Sequence, residues 1–189
     1  MKFVAAFVAL FTICSVAFAQ DGASKFNSAY LSYAPSWLTA SAGESASFGN
    51  TVVAGWNQAH NLGTDELFIE YGAAFQFTQF HGTYQEHKSP FFYGIKMPVS
   101  LMVKIGDEDC SFAPYAGVDL MANLRNEFKN ASGSFTNADM RDLSAAVHAG
   151  AKLYFTRLWI GAGYEYYFTD QFSDGGKMHF LNLMFGFTF

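Results

Sequence analysis

The sequence predicts an all-β fold: eight antiparallel strands in up-and-down order, closed into a barrel. Three observations predict it. Period-two alternation of apolar residues dominates from about residue 26 to the end. The connections between the alternating runs are short and long in strict turn. No Asp, Glu, Lys or Arg falls on the apolar phase of the third to eighth runs, while the opposite phase is rich in charge and glycine.

The first residues stand apart from this pattern. Met1-Lys2 gives a short positive start, Phe3 to Phe18 is apolar except for Thr12 and Ser15, and Ala17-Phe18-Ala19 fits a small-x-small cleavage site. Residues 1–19 therefore read as a secretory signal peptide, with the barrel domain spanning 20–189. A membrane anchor is the competing reading, but the run is short of the ~20 apolar residues that span a bilayer. Ile13 precedes Cys14 where a lipoprotein signal would carry a small residue. Cleavage would remove Cys14 and leave Cys110 as the one thiol, so no intrachain disulfide is expected.

Eight strands follow: about Phe26–Pro35, Phe48–Leu62, Glu66–Phe80, Pro90–Ile105, Cys110–Asn126, Arg141–Thr156, Leu158–Thr169 and Lys177–Phe189. The last is the clearest, with Leu181, Leu183, Phe185, Phe187 and Phe189 on one face and Met178, Phe180, Asn182, Met184, Gly186 and Thr188 on the other. Pro98 and Pro114 fall inside predicted strands and cannot donate to a ladder, so bulges or lost pairings are expected there. The connections at 61–65, 106–109 and 156–157 are turn-like. Those at 36–47, 81–89, 127–140 and 170–176 are longer and polar. One end of the barrel then carries turns and both termini, and the other carries four loops.

Composition bears on what surrounds this barrel. The chain has 189 residues, which suits one domain. It is 51% hydrophobic and 19% aromatic, with 22 Phe and 10 Tyr, but only 14% charged. A soluble domain carries about 25% charge. The net charge of -5 and pI of 5.4 argue against nucleic-acid binding, and the aromatic content argues against disorder.

Glycine decides which face is inside. A mid-strand glycine on a solvated face destabilises without return. In a narrow eight-stranded lumen that side chains just fill, Gly72, Gly94, Gly117, Gly150, Gly161 and Gly163 make room for Tyr115, Tyr154, Trp159 and Tyr167. The apolar phase would overfill such a lumen and suits a lipid-facing band, with Tyr71, Tyr93, Tyr164 and Tyr166 in its aromatic girdles. Only closed sheets satisfy every backbone group in hydrocarbon. The expectation is a transmembrane barrel; a soluble exported ligand-binding barrel is the fold alternative.

The whole predicted mature chain resembles the small outer-membrane β-barrel, or porin-like, family that includes OmpA- and OmpX-type barrels. The residues that carry the resemblance are the Ala17-Phe18-Ala19-Gln20 junction, the eight strands, and the terminal run Leu181-Asn182-Leu183-Met184-Phe185-Gly186-Phe187-Thr188-Phe189. The resemblance implies a Gram-negative outer membrane and contact with its lipid. It also implies delivery by periplasmic chaperones to the barrel-assembly machinery, which would read Phe185, Phe187 and Phe189 as its signal. A monomer is the default, and no separate peptidoglycan-binding module is expected after Phe189.

Glu70, Lys96, Asp119, His148, Lys152 and Glu165 point inward in this scheme, along with Lys104 and Arg125. Buried charges need partners. Glu70 and Lys152 fall toward the turn end. Lys96, Asp119 and His148 fall nearer mid-height, with Asp119 expected to bridge toward Lys96 or His148. A lumen crossed by such pairs is a plug, so a structural or surface-interaction role is favoured over a small-solute pore. Lipid-modifying catalysis is third: Asp119 and His148 could pair, but His148 is followed by Ala149-Gly150 with no nearby serine expected on the same face, and no nucleophile is evident at its height. No cofactor or metal is expected. His81 and His87 with Glu86 in one loop, the Asn130-Ala131-Ser132 sequon and Gly175-Gly176 read as ordinary loop features.

Overall fold

A computed structural model of the chain describes residues 25–39, 47–81, 83–84, 87–107, 109–129, 135–136, 141–172 and 175–189. The expected signal peptide, Glu86 and the sequon lie outside the described residues, as do the side chains of His87 and Arg125.

Eight long strands form the structure: β1 (Lys25–Thr39), β2 (Ser47–Asn61), β3 (Leu67–His81), β4 (His87–Val103), β5 (Cys110–Lys129), β6 (Leu143–Phe155), β7 (Leu158–Tyr167) and β8 (Lys177–Thr188). Each pairs antiparallel with its neighbours in sequence, and β1 pairs with β8, which closes the sheet. A row followed across the ladders from Trp37 returns to β1 at Asn27, a displacement of ten residues. Such a stagger in an eight-stranded barrel goes with a strand tilt of roughly 40° and a lumen that side chains fill.

The prolines show how the chain accommodates missing donors. Pro98 pairs regularly with Asp119 on β5, but the β3 ladder lapses between Tyr71/Val99 and Ala74/Lys96. Pro114 pairs with Ala151 on β6, and the ladder on its other side lapses after Met102/Tyr115. Pro35 behaves alike: it pairs with Asn50 on β2, and the β8 ladder skips from Tyr33/Leu183 to Ser36/Phe180. The sequence reading ended the first strand at Pro35. The strand continues to Thr39 because only one of its two ladders has to lapse there.

Polarity is inverted relative to a soluble barrel. Leu31, Val118, Ile160, Leu183 and Phe185 stand on the outer wall at 49–60% exposure, while Glu70, Lys96, Asp119, Lys152 and Glu165 are buried inside. Tyr71 departs from the expected girdle: it lies on the outward phase, yet it is buried, stacked on His60 and hydrogen-bonded to Gln58 and His60. Glycine admits the large inward rings as expected. A Cβ at Gly150 would stand 2.6 Å from the Tyr115 hydroxyl, and one at Gly186 would overlap the Trp159 indole.

Two apolar clusters fill the ends of the lumen. Toward the long loops sit Leu38, Phe80, Phe92, Met121, Tyr167 and Phe180. Toward the short turns sit Phe68, Met102, Tyr154 and Trp159, with Phe26 and Tyr30 against them. Lys104 lies at that lower end, its ammonium over the Tyr154 and Phe26 rings.

Candidate functional site in the barrel lumen

The charged residues form a layer between these two clusters. Lys96 on β4 meets Glu165 on β7 at 2.8 Å, across the lumen. The same carboxylate oxygen accepts from Asn182 Nδ2, and the Asn182 carbonyl accepts from Ser32. Lys152 on β6 meets Glu70 on β3 at 2.5 Å, and Asn57 also donates to that carboxylate. The Lys152 ammonium further lies 4.7 Å from the Trp159 ring centroid and 5.2 Å from that of Tyr115. Cation–π contact of this kind strengthens once desolvated.

The third pair is Asp119 on β5 with His148 on β6: Oδ2 and Nδ1 are 2.7 Å apart. Asp119 thus bridges to His148, whereas Lys96 takes Glu165. The other ring nitrogen, His148 Nε2, lies 2.7 Å from Ser100 Oγ on β4. Ser100, His148 and Asp119 form a continuous hydroxyl–imidazole–carboxylate chain.

This corrects the expectation that no nucleophile stands at the height of His148. The hydroxyl comes not from the sequence around His148 but from two strands away. Ser100 is the cross-strand partner of Gly117, and Gly117 is the partner of His148. With no side chain between them, the hydroxyl and imidazole meet over the intervening strand. A Cβ at Gly117 would stand 2.7 Å from His148 Nε2. The signal available in the sequence was a glycine flanked, on one row, by serine and histidine.

A cavity of about 50 Å³ lies among these groups, bounded by Tyr30, Lys96, Tyr115, His148, Lys152 and Glu165. That is room for a few water molecules, well below the ~300 Å³ of a small-molecule site. The geometry holds six ionisable side chains in three contacts around this cavity. No group of three or more potential metal ligands occurs among the described residues. Outside the lumen, Phe185, Phe187 and Phe189 are exposed on the wall, the last two stacked at 6.3 Å. His81 is on the wall too, in contact with Asn50.

No protein-family model matches the chain, and no curated protein matches it. Solved structures do. Ail, the attachment invasion locus protein of Yersinia pestis, superposes with a TM-score of 0.52 at 18% identity, covering 88% of this chain and 99% of that one. Neisserial surface protein A gives 0.50 at 17% identity, covering 89% and 100%. The outer membrane enzyme PagL gives 0.53 at 12% identity, covering 85% and 98%. At these identities the likeness speaks for architecture: the chain has the closed eight-stranded fold of the small outer-membrane barrels.

Proposed function

We propose that this chain is an integral outer-membrane protein of a Gram-negative bacterium whose barrel anchors four long connections at the cell surface for an interaction role. The observation that carries the reading is the inverted polarity together with the ion-paired lumen. The outer wall is apolar, and the ionic layer lies between two apolar clusters. Likeness in fold to Ail and to Neisserial surface protein A supports it. Export by a signal peptide cleaved after Ala19, chaperone delivery, and recognition of Phe185, Phe187 and Phe189 by the assembly machinery complete the proposal, with the monomer as its working form.

Conduction is the alternative. The small cavity and the cross-lumen pairs Lys96–Glu165 and Lys152–Glu70 weigh against it. Planar-bilayer recording of the purified protein tests this: the proposal expects no steady openings, and openings that change with Glu165→Gln would replace it with the pore.

The Ser100–His148–Asp119 chain favours a second reading, catalysis, and PagL shows that an enzyme can have this fold. Acyl transfer needs a substrate carbonyl against the hydroxyl and donors aimed at the developing oxyanion. Here the serine is buried, and the neighbouring strand amides belong to ladders. We therefore assign the chain to lumen cohesion. A fluorophosphonate probe should leave Ser100 unlabelled in the folded barrel; labelling lost in Ser100→Ala would establish the enzyme instead.

A further inference from the structure

We propose that the folded lumen joins Lys96 to Asn182 by an amide bond between their side chains, with Glu165 as the base. The inference goes beyond the surface role and assigns a covalent modification to the ionic layer.

The groups that such a reaction needs meet at one atom. Lys96 Nζ on β4 lies 2.8 Å from Glu165 Oε2 on β7, and Asn182 Nδ2 on β8 lies 3.2 Å from the same oxygen. All three residues are buried. The Ser32 hydroxyl on β1 donates to the Asn182 carbonyl oxygen at 3.2 Å. Nucleophile, base, leaving amide and a donor at the carbonyl are thus brought together from four strands.

The chemistry balances without a co-reactant. Lys96 passes one proton from its ammonium to Glu165 and becomes a neutral amine. That transfer turns two charges into two neutral groups, so no charge is created away from water. The flexible lysine stem then carries Nζ onto Asn182 Cγ. Negative charge develops on the carbonyl oxygen, where the Ser32 hydroxyl is already aimed. A second proton of the attacking nitrogen passes to Nδ2, relayed by the Glu165 carboxyl, the Cγ–Nδ2 bond breaks, and ammonia leaves. The new amide keeps one hydrogen, Glu165 ends as the neutral acid, and nothing is oxidised or reduced. Ser32, Lys96, Glu165 and Asn182 all line the cavity of about 50 Å³, which has room for a leaving group the size of water. Holding the reactants in one site supplies the effective concentration that an amine and an amide lack in water.

Lys152, Glu70 and Asn57 repeat the arrangement, yet two features set them apart. The Lys152 ammonium is held as a cation over the Trp159 and Tyr115 rings. Among the described residues, no donor reaches Asn57 Oδ1. That trio remains an ion pair.

Mass spectrometry of the folded barrel, isolated from membranes of expressing cells, tests the bond. The expected intact mass is about 17 Da below that of the mature sequence, one ammonia, with the N-terminus read from the same digest. Tandem spectra should show a branched peptide that joins Lys96 to Asn182. Lys96→Arg keeps the ion pair but removes the lysine amine, Asn182→Leu removes the carbonyl, and Glu165→Gln removes the base. Each should restore the full mass. Heat-modifiable gel mobility verifies folding, and Lys96→Arg, which retains the charge pair, decides the matter if Glu165→Gln does not fold. An unshifted wild-type mass, a branch between Lys152 and Asn57 alone, or a loss that persists in folded Glu165→Gln overturns the proposal. None of these outcomes touches the outer-membrane reading.

Discussion

The two lysine–glutamate pairs of the lumen join strands that are not neighbours in the sheet, so only the curling of the barrel supplies their partners. Lys152 and Glu70 are 82 residues apart in sequence, and Lys96 and Glu165 are 69 apart. Removing one member of a buried pair leaves the other uncompensated, which costs about 3–5 kcal/mol. Lys152→Ala is expected to destabilise the barrel in that range, measured by urea unfolding from vesicles. Ser100→Ala removes one hydroxyl from the Ser100–His148–Asp119 chain and is expected to cost only about 1 kcal/mol. If the two substitutions cost the same, the ionic layer is not what holds the lumen. At this scale the sequence was legible in part. It placed six ionisable groups inside, because alternation fixes which way a side chain points. It left open whether Asp119 would choose Lys96 or His148. It missed Ser100 because a contact across an intervening glycine depends on the register of three strands at once.

Among the elements, strand existence was the clearest reading and strand ends the least clear. The run Leu181–Phe189 announces β8 by alternation alone. By contrast, β1 passes through Pro35, since a proline forfeits the pairing on one side only. The β6–β7 turn holds another local conflict. Thr156 has φ of 56°, in the left-handed region that a β-branched residue rarely adopts. Its side chain is exposed, and its amide donates to the Asp109 carbonyl. Thr156→Gly relieves the strain without touching the lumen, and a gain of about 1 kcal/mol is expected in the same unfolding experiment. A loss would mean that the turn is held by the threonine and not in spite of it.

The whole molecule follows from one arrangement of polarity. A ten-residue stagger over eight strands gives a narrow lumen, glycines admit Tyr115 and Trp159 into it, and ion pairs occupy the layer between two apolar clusters. The apolar phase is left on the outer wall, where bilayer hydrocarbon is the solvent that suits it. That phase could be read in the sequence because it excludes charge over many strands. Closure through β1 and β8 could be inferred only from the number of strands.

The most direct measurement is a cysteine scan along β8 in a Cys110→Ser background, with a spin label at each of residues 181 to 185 and the barrel in lipid vesicles. The account predicts oxygen accessibility that alternates with period two: high at Leu181→Cys, Leu183→Cys and Phe185→Cys, low at Asn182→Cys and Met184→Cys. The reverse alternation, or uniform accessibility to a water-soluble relaxation agent, would contradict it.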